Sequence, residues 1–167
     1  GGKPAFAKCI PFTCPTLPPF SAFASKYKEI VQSGMITNAS YVQKFERKVS
    51  QHLKVKNIVA VNSCTSGLML VMKVLGLKGE VILPSFTFHA TAHAVIWNGL
   101  KPVFVDCDPH TYTIDPQTVE KAITRQTSAI LAVHLFGNPC NMSTLRKIAD
   151  KKKLFLITDA AHGFGSQ

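Results

Sequence analysis

Six small, mostly polar residues, N-S-C-T-S-G at 62–67, follow an apolar run that ends at Val61. An amphipathic pattern starts directly after them, so we expect them to form the first turn of a helix. Unsatisfied N–H groups and the positive end of the helix dipole at such a turn can bind a phosphate, with the hydroxyls of Thr65 and Ser66 as extra donors. Ser and Thr are also ordinary helix caps, so this segment alone fits both roles equally. The Walker and dinucleotide fingerprints are absent from the sequence, which argues against an NTP or NAD site.

Two aromatic side chains, Phe86 and Phe88, lie in the segment P-S-F-T-F at 84–88, which follows a second apolar run. A planar cofactor beside such a ring would gain offset stacking, worth about 0.5 to 1.5 kcal/mol beyond the area that it buries. Core packing is the commoner role for phenylalanine. Taken alone, the segment therefore favours core packing, with stacking on a cofactor as the alternative.

A carboxylate and an imidazole follow a third apolar run, in the segment T-D-A-A-H at 158–162. The two alanines between Asp159 and His162 allow a ligand to approach closely. A carboxylate at this place can hold a heterocyclic nitrogen protonated, because a nearby negative charge favours the cation. The alternative is that Asp159 caps the segment that follows it.

All three segments follow short β-branched runs that alternate with helical patterns. Strands are expected at 58–61, 81–83, 103–105, 129–133 and 154–157. Helices are expected at 21–32, 41–53, 65–75, 88–97, 116–123 and 142–152. Strands this apolar are expected to be covered on both faces, and the alternation predicts an α/β fold with a mostly parallel, doubly wound sheet and helices on both faces. Because ligands bind beyond the carboxyl ends of strands in such sheets, the three segments are expected to border one crevice.

Residues 1–19 are rich in Pro, Gly and Cys and are expected to form an extended arm. Two helices are expected to precede the sheet. Gly34 is expected to end the first of them, and Asn38 or Ser40 to cap the second.

Lysine and arginine total 19 against 9 acidic residues, a formal net charge of +10. Such an excess can indicate a nucleic-acid or anionic-surface partner. The charges are dispersed, however, and the one cluster, Arg146, Lys147 and residues 151–153, falls at the end of a predicted helix, where cations complement the dipole and face water. We therefore expect a solvated surface, with neither a nucleic-acid nor a membrane partner.

The five cysteines are scattered, with no pair at zinc-ligand spacing, which predicts reduced thiols. No apolar run is long enough to span a membrane and the first residues lack the layout of a signal peptide, so a cytoplasmic location is expected. His89 and His93 lie four residues apart on a predicted helix and could offer two metal ligands. Without an H-E-x-x-H pattern around them, we expect no metal site.

The chain contains six motifs, each of which occurs once. They are S-G-M-I-T-N-A-S-Y-V-Q-K-F-E at 33–46, N-S-C-T-S-G-L at 62–68, P-S-F-T-F-H-A-T-A-H at 84–93, K-P-V-F-V-D-C-D at 101–108, V-H-L-F-G at 133–137 and T-D-A-A-H-G-F-G at 158–165. In this order and spacing they resemble the DegT/DnrJ/EryC1/StrS family of sugar aminotransferases. These enzymes depend on pyridoxal 5'-phosphate (PLP) and are a branch of the fold-type I aminotransferases, so the resemblance implies part of the large domain of that fold.

The resemblance implies a role in PLP binding for five residues. The amides of Cys64 and Thr65, with the Thr65 hydroxyl, would hold the phosphate. Phe88 would stack on the ring, Asp159 would pair with the pyridine N1–H, and His162 would lie near the ring hydroxyl. These residues lie in the three segments to which the residue types themselves point.

The sequence departs from the family pattern at four positions. Cys64 stands where glycine is usual, Gly67 where alanine is usual, Thr158 where glutamate is common, and Ala39 where glycine is typical. The first two side chains are small, so phosphate binding is expected to survive. The change to Thr158 affects only residues that support the site from behind. Ala39 lies in a loop that the resemblance places near the partner subunit or the sugar.

In this family the lysine that forms a Schiff base with PLP lies beyond the D-A-A-H segment, which places it past Gln167. No lysine of this chain is expected to take that catalytic role. We therefore expect an amino-terminal fragment, with an arm and first helix at 1–35 and an incomplete PLP-binding large domain at 36–167.

The resemblance implies a homodimeric enzyme that moves an amino group from glutamate to a keto group of a nucleotide-linked sugar, in surface polysaccharide or related sugar biosynthesis. One alternative is a PLP-dependent sugar dehydratase on the same scaffold, in which a histidine replaces the lysine. A second alternative is a non-catalytic truncated chain, or a binding module that uses its basic surface.

Overall fold

A computed structural model of the protein describes Phe6, Lys8 and residues 15–165. The chain divides into two compact units, Gly1–Ile58 and Val59–Gln167. Most of the arm expected at 1–19 lies outside the described residues. The expected division into 1–35 and 36–167 stays a prediction.

The described residues of the first unit form two α-helices. They are α1 (Ala24–Ser33) and α2 (Ser40–Leu53). As predicted, α1 ends at Gly34, whose φ of 67° lies in the left-handed region that glycine reaches without a Cβ clash. The Tyr41 hydroxyl donates a hydrogen bond of 2.6 Å to Oε2 of Glu29, which links the two helices.

The start of α2 differs from the prediction that Asn38 or Ser40 caps it. Ala39 is the N-cap residue, its carbonyl accepts a hydrogen bond from the N–H of Gln43 at 3.1 Å, and no side chain caps the helix. Ser40 is already the first helical residue, and Asn38 precedes the cap position. Neither side chain therefore lies where an N-cap side chain reaches the free N–H groups.

The second unit is an α/β fold. Its elements are α3 (Cys64–Val74), β1 (Glu80–Pro84), α4 (His89–Trp97), β2 (Lys101–Val105), α5 (Pro116–Ala122), β3 (Thr127–Val133), α6 (Met142–Lys152) and β4 (Phe155–Asp159). The four strands pair in parallel in the order β2-β1-β3-β4. The predicted α/β fold with a parallel sheet is confirmed.

Helices cover both faces of this sheet, as predicted. On one face, side chains of α3 and α4 pack against alternate residues of the central strands, among them Leu68, Met72, Val95, Leu83 and Leu131. On the other face, side chains of α5 and α6 pack against the intervening residues, among them Val119, Leu145, Ile148, Ile82 and Ile130. The two-residue period of a strand thus supplies apolar side chains to both layers of the core.

Two details of the predicted sheet are wrong. Residues 58–61 form no strand, since none of the four strands in the described part of the chain pairs with them, and the Val59 and Val61 side chains are exposed. Apolar composition alone does not make a strand, which also needs a neighbour for its backbone. The strands β2 and β4 lie at the edges of the sheet and are not covered on both faces, because Phe104 and Phe155 are exposed.

The basic cluster at the end of α6 lies on the surface, as predicted. Arg146, Lys147 and the lysines at 151–153 are all exposed, and Nζ of Lys151 lies 3.6 Å from Oε1 of Glu120. Among the helices in the described residues, none combines the length and the hydropathy that a membrane crossing requires.

Candidate functional site

The carboxyl ends of the parallel strands lie at one edge of the second unit. Val133 at the end of β3 pairs with Asp159 at the end of β4. The N–H of Ser85, directly after β1, donates a hydrogen bond of 2.9 Å to the carbonyl of Val105 at the end of β2. Side chains that follow different strands are therefore close in space although they are distant in sequence.

Asp159 is the buried acidic residue of this edge, with 7% of its surface exposed. Its Oδ2 accepts a hydrogen bond of 2.8 Å from the Thr91 hydroxyl. Its Oδ1 accepts from the N–H of Ala161 at 3.2 Å and from the Cys64 thiol at 3.5 Å. A carboxylate offers about four lone-pair positions. Three neutral donors occupy three of them, so the Asp159 carboxylate can accept one further hydrogen bond. A cationic donor suits it best, because the carboxylate is a buried negative charge.

The first turn of α3 lies beside this carboxylate. Ser63 is the N-cap residue, and its Oγ accepts a hydrogen bond of 3.1 Å from the N–H of Ser66. The amides of Cys64 and Thr65 belong to the same turn, and no acceptor for them is recorded among the described residues. The capping role considered for this segment falls to Ser63, and the anion-binding role stays a prediction. Ser63 caps the helix, and two amides at its positive end stay available to a phosphate.

The Cys64 side chain connects the two parts of the site. Burial, followed by the negative charge of Asp159 and the hydrogen bond to it, raises the pKa of the Cys64 thiol to about 11. At neutral pH the thiol is therefore protonated and donates to the carboxylate instead of repelling it.

Phe88 is the N-cap residue of α4, and 63% of its surface is exposed. Its ring centroid lies 4.0 Å from that of His89. Core packing, which the residue type alone favours, is wrong for this side chain, because the ring faces solvent. An exposed ring at this edge of the sheet is free to contact a ligand.

His162 lies three residues after Asp159, in the turn beyond β4. Its Nδ1 accepts a hydrogen bond of 3.2 Å from the N–H of Phe136, and the two rings are nearly parallel, with an interplanar angle of 7°. A nitrogen that accepts a hydrogen bond carries no proton, so this bond assigns the proton of neutral His162 to Nε2. Phe136 has a φ of 54°, an uncommon conformation for an aromatic residue.

The structure brings together part of the predicted site. Cys64 contacts Asp159, and Thr65 belongs to the same helical turn as Cys64. No side-chain contact between Asp159 and either Phe88 or His162 is recorded within the described ranges. The roles of these five residues toward a cofactor stay predictions.

Sequence reasoning missed two threonines that support the site. Thr91 bonds directly to Asp159, and the Thr87 and Thr91 hydroxyls lie 2.9 Å apart. Their signal was the spacing of four residues in T-F-H-A-T, which places two hydroxyls on the same side at the start of a helix.

His89 and His93 lie on α4 with their ring centroids 5.2 Å apart. In the part of the chain that the structure describes, no group of three or more His, Cys, Asp or Glu side chains is placed to hold a metal ion.

Comparison with known proteins identifies the family. Residues 21–167 match the DegT/DnrJ/EryC1/StrS aminotransferase family. The chain belongs to this family. The resemblance of its motifs is thus confirmed over most of the chain.

Three relatives illustrate the similarity of this DegT/DnrJ/EryC1/StrS family member. A dTDP-4-amino-4,6-dideoxy-D-glucose transaminase from Escherichia coli is 42% identical over 159 residues, which cover 95% of this chain and 43% of that protein. A 3-oxo-glucose-6-phosphate:glutamate aminotransferase from Bacillus subtilis (strain 168) is 40% identical over 139 residues, or 82% of this chain and 32% of that protein. The crystal structure of NtdA from Bacillus subtilis with bound cofactor PMP superposes with a TM-score of 0.84 at 37% identity, over 87% of this chain and 34% of that one.

The chain therefore spans less than half the length of the relatives that it matches. The part that it covers contains the α/β sheet and the edge that holds Asp159. The expected fold-type I class is confirmed by the superposition.

Proposed function

We propose that the protein is a PLP-dependent aminotransferase that moves an amino group from glutamate to a keto group of a nucleotide-linked sugar. The observation that carries this proposal is the buried Asp159 carboxylate beside the first turn of α3. Cys64 connects the carboxylate and the helical turn. Its thiol lies 3.5 Å from Oδ1 of Asp159, and its amide is one of the two that suit a phosphate. A ligand with a phosphate and a basic ring nitrogen, such as PLP, suits these neighbouring groups.

The residues present fit PLP. The Cys64 and Thr65 amides and the Thr65 hydroxyl would hold the phosphate at the positive end of α3. Asp159 would accept a charge-assisted hydrogen bond from the ring N–H at its remaining lone-pair position. Phe88 would lie against the ring, and the Nε2–H of His162 would donate to the ring hydroxyl oxygen.

PLP supplies an electron sink for the reaction when it is bound. The task of Asp159 is to keep a proton on the ring nitrogen, because a buried negative charge beside that nitrogen favours its protonated form. The thiol of Cys64 and the hydroxyl of Thr91 stabilise the charged carboxylate by donating to it. The Phe88 ring would exclude water from one side of the cofactor.

The names of two relatives support the proposed substrates, a nucleotide-linked keto-sugar and glutamate. Both are transaminases or aminotransferases named for sugars, one for a dTDP-linked sugar and the other for glutamate as well. We therefore propose a nucleotide-linked keto-sugar as the acceptor, glutamate as the donor, and surface polysaccharide or related sugar biosynthesis as the process. A homodimer in the cytoplasm completes the proposal.

PLP binding is tested with protein expressed from its complete reading frame, freed of cofactor and titrated with PLP while its absorbance is followed. We expect saturable binding, weakened roughly tenfold or more by Asp159→Asn, because a hydrogen bond to a charged group is lost. Asp115→Asn is the matched control, since Asp115 caps α5 and has no recorded bond to Asp159. Wild-type protein that fails to bind PLP would overturn the proposal.

The reaction is tested with ¹⁵N-glutamate and dTDP- or GDP-linked keto-sugars. Aminotransfer places the label in the sugar, which mass spectrometry detects as a gain of nitrogen. A sugar that loses water and gains no nitrogen would indicate the dehydratase instead. Reading the Schiff-base position in the reading frame beyond Gln167 provides an independent check, because lysine fits aminotransfer and histidine fits dehydration.

A further inference from the structure

The buried hydroxyl of Thr91 bonds to a residue 68 positions along the chain. Thr91 lies in the first turn of α4 with 1% of its surface exposed, and its Oγ1 donates to Oδ2 of Asp159 at 2.8 Å. A threonine hydroxyl inside a helix often bonds to the carbonyl four residues before it. This one is directed instead at the carboxylate that ends β4.

The direction of the hydrogen bond between Thr87 and Thr91 follows from this contact. Thr91 has a single hydroxyl proton, and an ionised carboxylate only accepts, so that proton points at Asp159. The Thr87 hydroxyl, 2.9 Å away, must therefore donate to Oγ1 of Thr91. The two bonds run in the same sense, from Thr87 through Thr91 to Asp159, and bonds in such a chain polarise and strengthen one another.

We propose that Thr91, supported by Thr87, is a positioning residue that holds the Asp159 carboxylate in the orientation that pairs with the protonated ring nitrogen of the cofactor. This inference rests on the proposed function. Because Thr91 donates to Oδ2 while the Ala161 amide and the Cys64 thiol donate to Oδ1, Thr91 is the recorded donor that holds the second oxygen and so fixes the rotation of the carboxylate.

The test separates this role from a general effect on folding. Thr91→Val removes the hydroxyl at nearly constant volume, and Thr91→Ser keeps it. Thr118→Val is the control, because within the described residues the recorded bonds of the Thr118 hydroxyl are to the carbonyls of Asp106 and Asp115. Each protein, expressed from the complete reading frame, is titrated with PLP and with 1-deaza-PLP, in which C–H replaces the ring nitrogen. Circular dichroism of the cofactor-free proteins records the unfolding temperature.

If Thr91 acts through Asp159, Thr91→Val weakens PLP binding about tenfold, as the loss of a hydrogen bond to a charged group implies. Binding of 1-deaza-PLP changes little, because that analogue has no ring nitrogen to pair with Asp159. Thr91→Ser restores the affinity for PLP, and Thr118→Val leaves both affinities near the wild-type values.

If Thr91→Val weakened the binding of PLP and of 1-deaza-PLP equally, the inference would be overturned, because Thr91 would then have a merely structural role. Should Thr91→Val fail to fold, Thr87→Val decides, since it removes only the donor behind Thr91. A smaller loss of affinity, for PLP and not for 1-deaza-PLP, supports the inference. An unchanged affinity for PLP, or an equal loss of affinity for both compounds, overturns it. If the wild-type protein fails to bind PLP, the proposed function is overturned instead. Failure of the proposed function and failure of the inference on Thr91 are therefore distinguishable.

Discussion

The Sγ atom of Cys64 lies 3.5 Å from Oδ1 of Asp159, although 95 residues separate them in the sequence. The contact joins the first turn of α3 to the end of β4, which are the two places expected to hold the phosphate and the ring nitrogen of the cofactor. Cys64 also departs from the glycine expected at this position. A glycine would leave Oδ1 with the Ala161 amide as its recorded donor, so the thiol adds a hydrogen bond to the carboxylate.

The first prediction concerns the reactivity of this thiol. The pKa of Cys64 is raised to about 11 by burial and by Asp159. Because the thiolate is the reactive form, Cys64 should be alkylated at pH 8 roughly tenfold or more slowly than an ordinary exposed thiol. Asp159→Asn removes the negative charge, lowers the pKa of the thiol and should accelerate its alkylation.

Mass spectrometry of peptides from cofactor-free protein measures this rate with iodoacetamide. Cys107, a half-buried free cysteine in the same digest, is the internal reference, and its rate should be the same in both proteins. A Cys64 rate that is equal in wild-type protein and Asp159→Asn would contradict the role given to the carboxylate.

The second prediction compares two helix caps. The Ser63 side chain accepts from the N–H of Ser66 at the start of α3, and the Asn141 side chain accepts from the N–H of Thr144 at the start of α6. Replacing either residue by alanine should lower the free energy of unfolding by about 1 kcal/mol. Only Ser63→Ala should also weaken PLP binding, because its turn carries the two amides offered to the phosphate.

Urea denaturation measures the stability of the two cap variants, and the PLP titration measures their affinity. Asn141→Ala is the matched control, since it costs a similar amount of stability and has no recorded bond to Asp159 or Cys64. If the two variants lowered the affinity for PLP equally, phosphate binding at α3 would lose its support.

Local sequence patterns predicted most of the fold because the information lay within each segment. Gly34 ends α1 where its conformational freedom indicated, and the runs at 81–83 and 129–133 became the buried strands β1 and β3. The run at 58–61 is similarly apolar and forms no strand, because strand formation depends on a neighbour that no local pattern reveals.

The same distinction applies to the candidate site. Cys64, Thr65 and Asp159 could be proposed because residues after parallel strands and at helix starts reach one edge of the sheet. The contact of Thr91 with Asp159 could not, because it depends on the approach of α4 to the end of β4 across 68 residues. The spacing in T-F-H-A-T indicates only that Thr87 and Thr91 lie near each other. The proton position of His162 likewise depends on Phe136, which is 26 residues away.

The third prediction tests the layer of the core formed by α6. The Leu145 side chain is fully buried with residues of α5 and β3, whereas Lys147 on the same helix is exposed. Leu145→Ala should lower the free energy of unfolding by about 2 to 5 kcal/mol through lost burial and a residual cavity. Lys147→Ala should change it by no more than about 0.5 kcal/mol. Urea denaturation checks both values, and equal effects would contradict the packing of α6 on the sheet.

The last prediction concerns Glu80, a buried acid that begins β1 and so lies at the amino-terminal ends of the strands, opposite to Asp159. A 2.6 Å hydrogen bond from the Thr124 hydroxyl, and then a 2.9 Å bond from Lys101, lower the pKa of its carboxyl group. A lowered pKa in the folded state stabilises the fold above the unfolded value, roughly 4.3, and this stabilisation is lost as the pH falls through the folded value. Glu80→Gln should therefore be less stable than wild type at pH 7 and lose less stability between pH 5 and pH 3. Urea denaturation across that range checks this, with Glu120→Gln as the control because an exposed ion pair contributes little. A wild-type pH dependence that survives in Glu80→Gln would assign the acid sensitivity to other groups.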